Sequence, residues 1–107
     1  MKNLFFLFIT LLVFSQSEKL VFPVNGNCKM CKSRIEKAAL MTRGVKYANW
    51  RAETQQLTLI LNSNKTTLDS VAKNVAAVGH DAGNFQALEK VYQDLPMCCL
   101  YRDSMPH

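Results

Sequence analysis

The sequence contains 107 residues, has a formal net charge of +5 and is 49% hydrophobic. This length is enough for one domain with a modest core. The positive excess is small, and neither a lysine- and arginine-rich run nor a series of stacking aromatic residues accompanies it, which argues against nucleic-acid binding. A mild positive charge is instead compatible with a partner that has an acidic surface.

The N-terminal segment has the layout of a secretory signal peptide. A short basic start at Met1 and Lys2 precedes an almost entirely apolar run at residues 4–14, and residues 15–17 supply a small-x-small cleavage site. The apolar run is shorter than the roughly 20 residues that span a bilayer, so an uncleaved membrane anchor is the second interpretation. We therefore expect residues 1–17 to be removed, leaving a formal charge of about +4 because Lys2 is lost.

Strand and helix patterns alternate in the next part of the chain. Residues 19–24 alternate with the period of two that indicates a strand. Residues 25–27 (Asn-Gly-Asn) favour a loop, and an apolar stripe then predicts a helix over residues 29–41. Residues 45–52 and 56–61 again have strand patterns, and the short polar segment between them predicts a hairpin.

A second helix is predicted to follow this hairpin. Thr66 or Thr67 can cap it, and its apolar residues follow the 3.6-residue period as far as Val78, where Gly79 provides a natural stop. The order strand, helix, strand, strand, helix needs one more strand to complete a split βαβ unit of the ferredoxin-like type. Residues 80–84 hold the position of that strand, although the segment is short and has little β-propensity.

The C-terminal segment carries two adjacent cysteines. Residues 85–95 suggest a short third helix closed by Pro96, and residues 97–101 are predicted to be extended. In an extended segment the side chains of Cys98 and Cys99 point to opposite faces, so one metal ion would not easily use both. One of them can instead approach the other cysteine pair of the chain, as an extra ligand or as a resolving thiol.

Cys28-Lys29-Met30-Cys31 is the most informative motif, because it lies where the predicted first loop becomes the first helix. Two thiols three positions apart at a helix start can bind one soft ion together, and the helix N-terminus and the nearby lysines favour their thiolate forms. Thiolates select Cu(I) and Zn(II) over hard cations. Redox enzymes use the same spacing, so a thiol–disulfide oxidoreductase is a second hypothesis.

A third hypothesis needs neither metal nor redox turnover. All four cysteines, Cys28, Cys31, Cys98 and Cys99, follow the predicted signal peptide. Disulfides persist in an oxidising compartment, so the chain can also be a disulfide-stapled interaction module. Four cysteines allow three complete pairings, and the sequence does not choose among them.

Residues 20–82 resemble the heavy-metal-associated domain family, which includes copper chaperones, small metal-binding domains of copper-pumping ATPases and the periplasmic mercury-binding protein. Three stretches carry this resemblance: Cys28-Lys29-Met30-Cys31, residues 33–41 with Gly44-Val45, and residues 71–79 with His80-Asp81. The sequence departs from the family at residues 25–27, where the family usually has Gly-Met-Thr, with a methionine that packs beneath the metal loop.

The resemblance implies an α+β fold, a ferredoxin-like βαββαβ sandwich with an antiparallel sheet and two helices on one face. A short helical or extended C-terminal extension would follow the sandwich. We accordingly divide the chain into a signal peptide (1–17), a heavy-metal-associated domain (18–84) and an extension with vicinal cysteines (85–107). The tail pattern Leu95-Pro96-x-Cys98-Cys99-x-Tyr101 looks like that of small exported bacterial proteins with this domain.

The resemblance also implies a function: an exported protein, not an enzyme, that binds a soft metal ion at Cys28 and Cys31 and transfers it by thiolate exchange. Cu(I) is the expected cargo, with Hg(II) or Zn(II) as alternatives. His80, which lies in the family's metal-side loop, and the tail residues Cys98 and Cys99 are candidates for additional metal or redox roles. We expect a monomer or a metal-bridged dimer.

The expected surroundings follow from the same resemblance. The expected location is the bacterial periplasm, in soluble form once the signal peptide is removed. The expected partner is a metal-transporting membrane protein or a cuproenzyme with an acidic docking surface. Lys29, Lys32 and Lys37 could attract such a surface, or could simply form a solvated helix face.

Overall fold

The computed structural model describes residues 17–102, so the predicted signal peptide lies outside the described residues except for Ser17. No helix in this described part is both long and apolar enough to cross a membrane. The elements follow the predicted order: β1 (Ser17–Pro23), α1 (Lys29–Leu40), β2 (Val45–Arg51), β3 (Gln56–Asn62), α2 (Leu68–Ala77), α3 (Glu89–Gln93) and a 3₁₀ turn (Met97–Cys99).

The three strands form an antiparallel sheet in the order β1-β3-β2, with β3 in the centre. β3 alternates between buried and partly exposed residues, and Leu57, Leu59 and Leu61 all point into the core. Leu57 pairs with Phe22 of β1 on one side and with Trp50 of β2 on the other. Full burial of each leucine stabilises the fold by about 1.5–3 kcal/mol, so β3 anchors the sheet.

The two longer helices cover this core. α1 packs against β2 and α2, and its buried residues Cys31, Ile35, Ala38 and Ala39 recur at helical spacing. α2 begins after Thr67, whose side-chain oxygen accepts a hydrogen bond from the Ser70 N–H at 3.2 Å. The predicted α+β, ferredoxin-like fold class is confirmed.

The last strand of the βαββαβ pattern is reduced to isolated bridges. In the described residues, Ala82 forms one antiparallel bridge with Val24 and another with Phe85, and no regular strand follows α2. Gly79 and Gly83 on either side both adopt positive φ angles, of 113° and 54°. These left-handed turns, together with the lack of β-branched residues at 80–84, leave only a single residue in position to pair.

The tail corrects two further predictions. The third helix is confined to Glu89–Gln93, and the segment predicted to be extended contains the 3₁₀ turn, in which the Cys99 N–H donates to Pro96 O at 2.8 Å. Proline fixes its own φ and so favours entry into a tight turn. A 3₁₀ turn separates successive side chains by about 120° and not by the 180° of a strand, so Cys98 and Cys99 can face a common point.

Tyr101 and Arg102 fasten the tail to the domain. The Tyr101 hydroxyl donates to Gly79 O and accepts from the Asp81 N–H, both at 2.8 Å. Arg102 forms a salt bridge with Asp81 at 2.8 Å, and its guanidinium lies 4.3 Å from the centre of the Tyr92 ring. The 3₁₀ turn is therefore held in one place by contacts that follow it directly in the chain.

Candidate metal centre

Cys28 and Cys31 converge at the N-terminal end of α1, as the motif predicted. Cys28 is the N-cap residue and has an extended backbone, whereas Cys31 is fully buried in the first turn. Their Sγ atoms are 3.7 Å apart. An N-cap side chain lies beside the unpaired N–H groups of the first turn, so this is a favourable position for a thiolate.

The tail brings the other two cysteines to the same place. Cys98 Sγ lies 3.1 Å from Cys28 Sγ, and Cys99 Sγ lies 2.6 Å from Cys31 Sγ. Cys99 Sγ is also 3.9 Å from both Cys28 Sγ and Cys98 Sγ. All four are free thiols, and together they form what we call the four-cysteine cluster.

His80 borders the buried side of this cluster. It is fully buried, its ring stacks on Tyr101 with centroids 5.3 Å apart, and Nδ1 lies 2.8 Å from Asn25 O. A carbonyl can only accept, so we assign the proton to Nδ1. Nε2 has no hydrogen-bond partner within residues 17–102. A ligand atom of His80 lies within 4.8 Å of the sulfurs of Cys31 and Cys99, a geometry that could hold a metal ion.

The electrostatics of the cluster favour a negative charge on Cys28. Burial raises the pKa of this thiol, but hydrogen bonds with the Cys98 thiol and with the N–H groups of Cys31 and Met30 outweigh it and lower the pKa to about 7. The hydrogen bond with Cys28 raises the pKa of Cys98, and burial raises the pKa of Cys99 far above its usual range. Burial also lowers the pKa of His80 to about 4, so His80 is neutral at physiological pH.

The thiols should therefore differ in reactivity when the protein is reduced and free of metal. The thiolate is the nucleophile, so the alkylation rate of Cys28 by iodoacetamide should rise with pH around a midpoint of about 7. Cys99, buried and with a raised pKa, should stay unmodified while the protein is folded. Peptide mass mapping after short pulses between about pH 6 and pH 9 measures both rates. The denatured chain, in which all four thiols should react alike, is the control, and equal native rates at Cys28 and Cys99 would contradict the assignment.

Trp50 supports the loop before Cys28, a role that the sequence did not reveal. Its indole Nε1 donates to Val24 O at 2.8 Å, and its ring lies so close to Gly26 that a Cβ there would be 3.0 Å from it. Gln55 supports the same loop, because its Oε1 accepts from the Gly26 N–H at 3.0 Å. The methionine that heavy-metal-associated domains usually have in this loop is absent, and the buried Trp50 indole from β2 packs against the loop instead. The single tryptophan of the chain was the available signal.

The lysines of α1 do not act alike. Lys32 donates to Asn49 Oδ1 at 2.8 Å and to Trp50 O at 3.0 Å, and it is paired with Glu36. Its ammonium is therefore bound to β2 and to its own helix. Lys29 and Lys37 are exposed. An open cleft of about 360 Å³ beside Cys28 is lined by Lys29, Lys32 and residues 49–53.

Comparisons with known proteins identify the same fold. No protein-family model matches the chain. Over 59 residues, 55% of the chain, it is 34% identical to a copper-exporting P-type ATPase of Staphylococcus saprophyticus, but it spans only 7% of that protein. The CopZ metallochaperone aligns at 24% identity with a TM-score of 0.59, covering 61% of this chain and 98% of CopZ. The heavy-metal-associated fold predicted from the sequence is thereby confirmed.

Two further solved structures share the heavy-metal-associated fold. Oxidized MerP from Ralstonia metallidurans CH34 is 24% identical, with a TM-score of 0.60 and coverage of 63% of this chain and 94% of MerP. The N-terminal domain of a potential copper-translocating P-type ATPase from Bacillus subtilis, in its Cu(I)-loaded state, is 25% identical. Its TM-score is 0.59, and the match covers 63% of this chain and 85% of that domain.

The structure thus brings together the five residues that were predicted from the sequence as primary or additional metal or redox candidates. Cys28 and Cys31 lie at the start of α1, Cys98 and Cys99 reach them from the tail, and His80 borders the buried side. The arrangement is rich in sulfur and lies at a helix N-terminus, which suits a soft cation. Ligation by any of the five residues stays a prediction.

Proposed function

We propose that this protein is an exported carrier of a soft metal ion, with Cu(I) as its cargo and Cys28 and Cys31 as its primary ligands. The observation that carries the proposal is the convergence of these two sulfurs, 3.7 Å apart, at the N-terminus of α1. A depressed Cys28 pKa makes one thiolate available at neutral pH. The likeness to the CopZ metallochaperone supports a carrier role, and the likeness to a Cu(I)-loaded ATPase domain supports copper as the ion.

Transfer from such a site is a ligand exchange without redox chemistry. A thiolate of the acceptor forms a bond to Cu(I), giving a three-coordinate intermediate, and the bond from Cys28 or Cys31 then breaks. The departing thiolate takes up a proton, and copper remains Cu(I) throughout. Closed four-ligand sites hold metals for structural purposes, whereas an open site of low coordination can accept the incoming thiolate.

The acceptor would be a metal-transporting membrane protein or a cuproenzyme. A metal-transporting membrane protein is favoured, because the chain is 34% identical to part of a copper-exporting P-type ATPase. The exposed Lys29 and Lys37, on the helix that carries the thiols, would attract an acidic docking surface. The predicted signal peptide supports delivery in the bacterial periplasm. The carrier would act as a monomer or as a metal-bridged dimer.

A Cu(I) competition assay tests this function. The reduced protein should take Cu(I) from a chromophoric chelator under anaerobic conditions, and the Cys28→Ser/Cys31→Ser variant should bind at least about 100-fold more weakly. Loss of an outer-shell partner alone typically costs 10–100-fold, so the loss of both primary ligands should cost more. Met41→Ser is the matched control, because it removes an exposed sulfur at the opposite end of α1. Equal affinity in the double variant would refute the proposal.

One observation favours a second candidate function. The sulfur contacts between Cys28 and Cys98 and between Cys31 and Cys99, at 3.1 and 2.6 Å, are short enough for disulfide exchange within the cluster. A thiol–disulfide oxidoreductase would use Cys28 as the attacking thiolate and pass two electrons to a partner disulfide. Turnover of a model disulfide by the reduced protein would favour this function, and negligible exchange would exclude it. Hg(II), which the resemblance to the periplasmic mercury-binding protein implies, is the alternative cargo.

A further inference from the structure

Three of the sulfur separations in the four-cysteine cluster match those of a single metal site, and Cys28, Cys98 and Cys99 already lie close enough together to share one ion. In a tetrahedral tetrathiolate with metal–sulfur bonds of about 2.3 Å, the sulfurs lie about 3.8 Å apart. Cys28 to Cys31, Cys28 to Cys99 and Cys98 to Cys99 are already separated by 3.7, 3.9 and 3.9 Å. The Cys28–Cys98 and Cys31–Cys99 pairs, at 3.1 and 2.6 Å, would need to open by about 0.7 and 1.2 Å.

Contacts between the tail and the domain hold Cys98 and Cys99 beside the start of α1. Cys99 is fully buried, and Tyr101, two residues later, is hydrogen-bonded to the backbone on both sides of His80. Arg102 binds Asp81 at 2.8 Å and Glu89 at 2.7 Å, so the chain is fixed directly after the thiols. Three separate kinds of contact therefore hold two sulfurs against the helix start: apolar burial, hydrogen bonds and ion pairs.

The metal-free cluster gains little from its own sulfur contacts, which also points to a ligand. Free thiols are weak hydrogen-bond donors and acceptors, so the contacts among four of them contribute little. A thiophilic cation would replace these weak contacts with metal–sulfur bonds and would neutralise the thiolates that it creates.

We propose that Cys98 and Cys99 supply further thiolates to the ion bound by Cys28 and Cys31, so that the docked tail closes the carrier site. The inference rests on the proposed function, since it assigns further ligands to that site. A closed site suits thiophilic d¹⁰ ions, with four thiolates for Zn(II) or Cd(II) and up to three for Cu(I). Cys98 and Cys99 then occupy the positions that an acceptor's thiolates must take, so the tail has to withdraw before the cargo leaves.

Cd(II) is the probe that tests this inference, because its thiolate charge-transfer absorption grows with the number of bound sulfurs and Cd(II) has no redox chemistry of its own. The reduced chain, given one equivalent of Cd(II), should absorb about twice as strongly per ion as the Cys98→Ser/Cys99→Ser variant, since it offers four thiolates instead of two. Met97→Ser, which removes an exposed sulfur from the same turn, should match the unaltered protein. Equal absorption in the unaltered protein and the double variant would overturn the inference.

A second measurement avoids any substitution that could disturb folding. One equivalent of Cd(II) should slow the alkylation of both partly exposed thiols, Cys28 and Cys98, relative to the metal-free protein, whereas the buried Cys31 and Cys99 are shielded in either state. Protection of Cys28 without protection of Cys98 would mean that the tail thiols are not ligands.

The two proposals fail separately. If the tail variant keeps its full Cd(II) absorption, the inference falls and the carrier function stands. If the Cys28→Ser/Cys31→Ser variant keeps its Cu(I) affinity, the carrier function itself falls.

Discussion

Replacement of Trp50 by alanine is expected to lower the free energy of unfolding by about 3–5 kcal/mol. Trp50 is 1% exposed and pairs with Leu57 in the centre of the sheet. Its removal leaves a large cavity between β2 and α1 and also deprives Val24 O of its indole donor. Domains of this size are typically stable by 5–15 kcal/mol, so the variant would be marginal.

Urea denaturation of the reduced, metal-free protein measures this effect. Tyr47→Ala is the matched control: it removes an aromatic ring from the same strand, but Tyr47 is 46% exposed, so the cost should be about 1 kcal/mol or less. Because the ring also lies against Gly26, the alanine variant should bind Cu(I) more weakly even where it is still folded. If Trp50→Ala and Tyr47→Ala were equally stable, Trp50 would not have the structural role assigned to it.

The sequence predicted those parts of the fold that depend on local patterns. The alternation in β3, the Thr67 cap of α2 and the helical stripe of α1 each involve residues within a few positions of one another. Cys28 and Cys31 belong to this class, since one helical turn fixes their separation. The order of the helices and strands, and the positions of Cys28 and Cys31, could therefore be predicted without knowledge of contacts that are distant in sequence.

The second half of the site depends on contacts that are distant in sequence. Cys98 reaches Cys28 across 70 residues, and the tail stays there because Arg102 binds Asp81 and Tyr101 binds Gly79. No periodic pattern encodes such pairings. The extended segment that we predicted placed the two thiols on opposite faces, and the 3₁₀ turn after Pro96 reversed that conclusion.

The absence of a regular fourth strand after α2 in the described residues and the docking of the tail have a common physical origin. Residues 80–84 do not continue the sheet as a ladder, and the Asp81 N–H and Gly79 O are satisfied by the Tyr101 hydroxyl instead. Buried backbone groups need partners, so the loss of a strand at this edge requires another segment to supply them. The tail that supplies them is the segment that carries Cys98 and Cys99.

Substitution of Tyr101 by phenylalanine should release this tail and accelerate metal transfer. Burial raises the pKa of Tyr101 to about 12, so the hydroxyl keeps its proton and donates a hydrogen bond to Gly79 O. Phenylalanine keeps the ring contacts with His80 and Tyr92 but leaves the buried Gly79 carbonyl unpaired. An unpaired buried group costs about 1–3 kcal/mol, which should raise the population of the undocked tail about 5–150-fold.

Stopped-flow transfer of Cu(I) from the loaded protein to an excess of chelator measures this release, because the chelator stands in for the acceptor's thiolates. If tail withdrawal limits transfer, the rate for Tyr101→Phe should rise by the same factor as the undocked population, while the variant keeps Cys28 and Cys31 and still binds Cu(I). Tyr47→Phe removes a hydroxyl from a half-exposed tyrosine and should not change the rate. If Tyr101→Phe also leaves the rate unchanged, cargo release does not wait for the tail, and Cys98 and Cys99 do not control it.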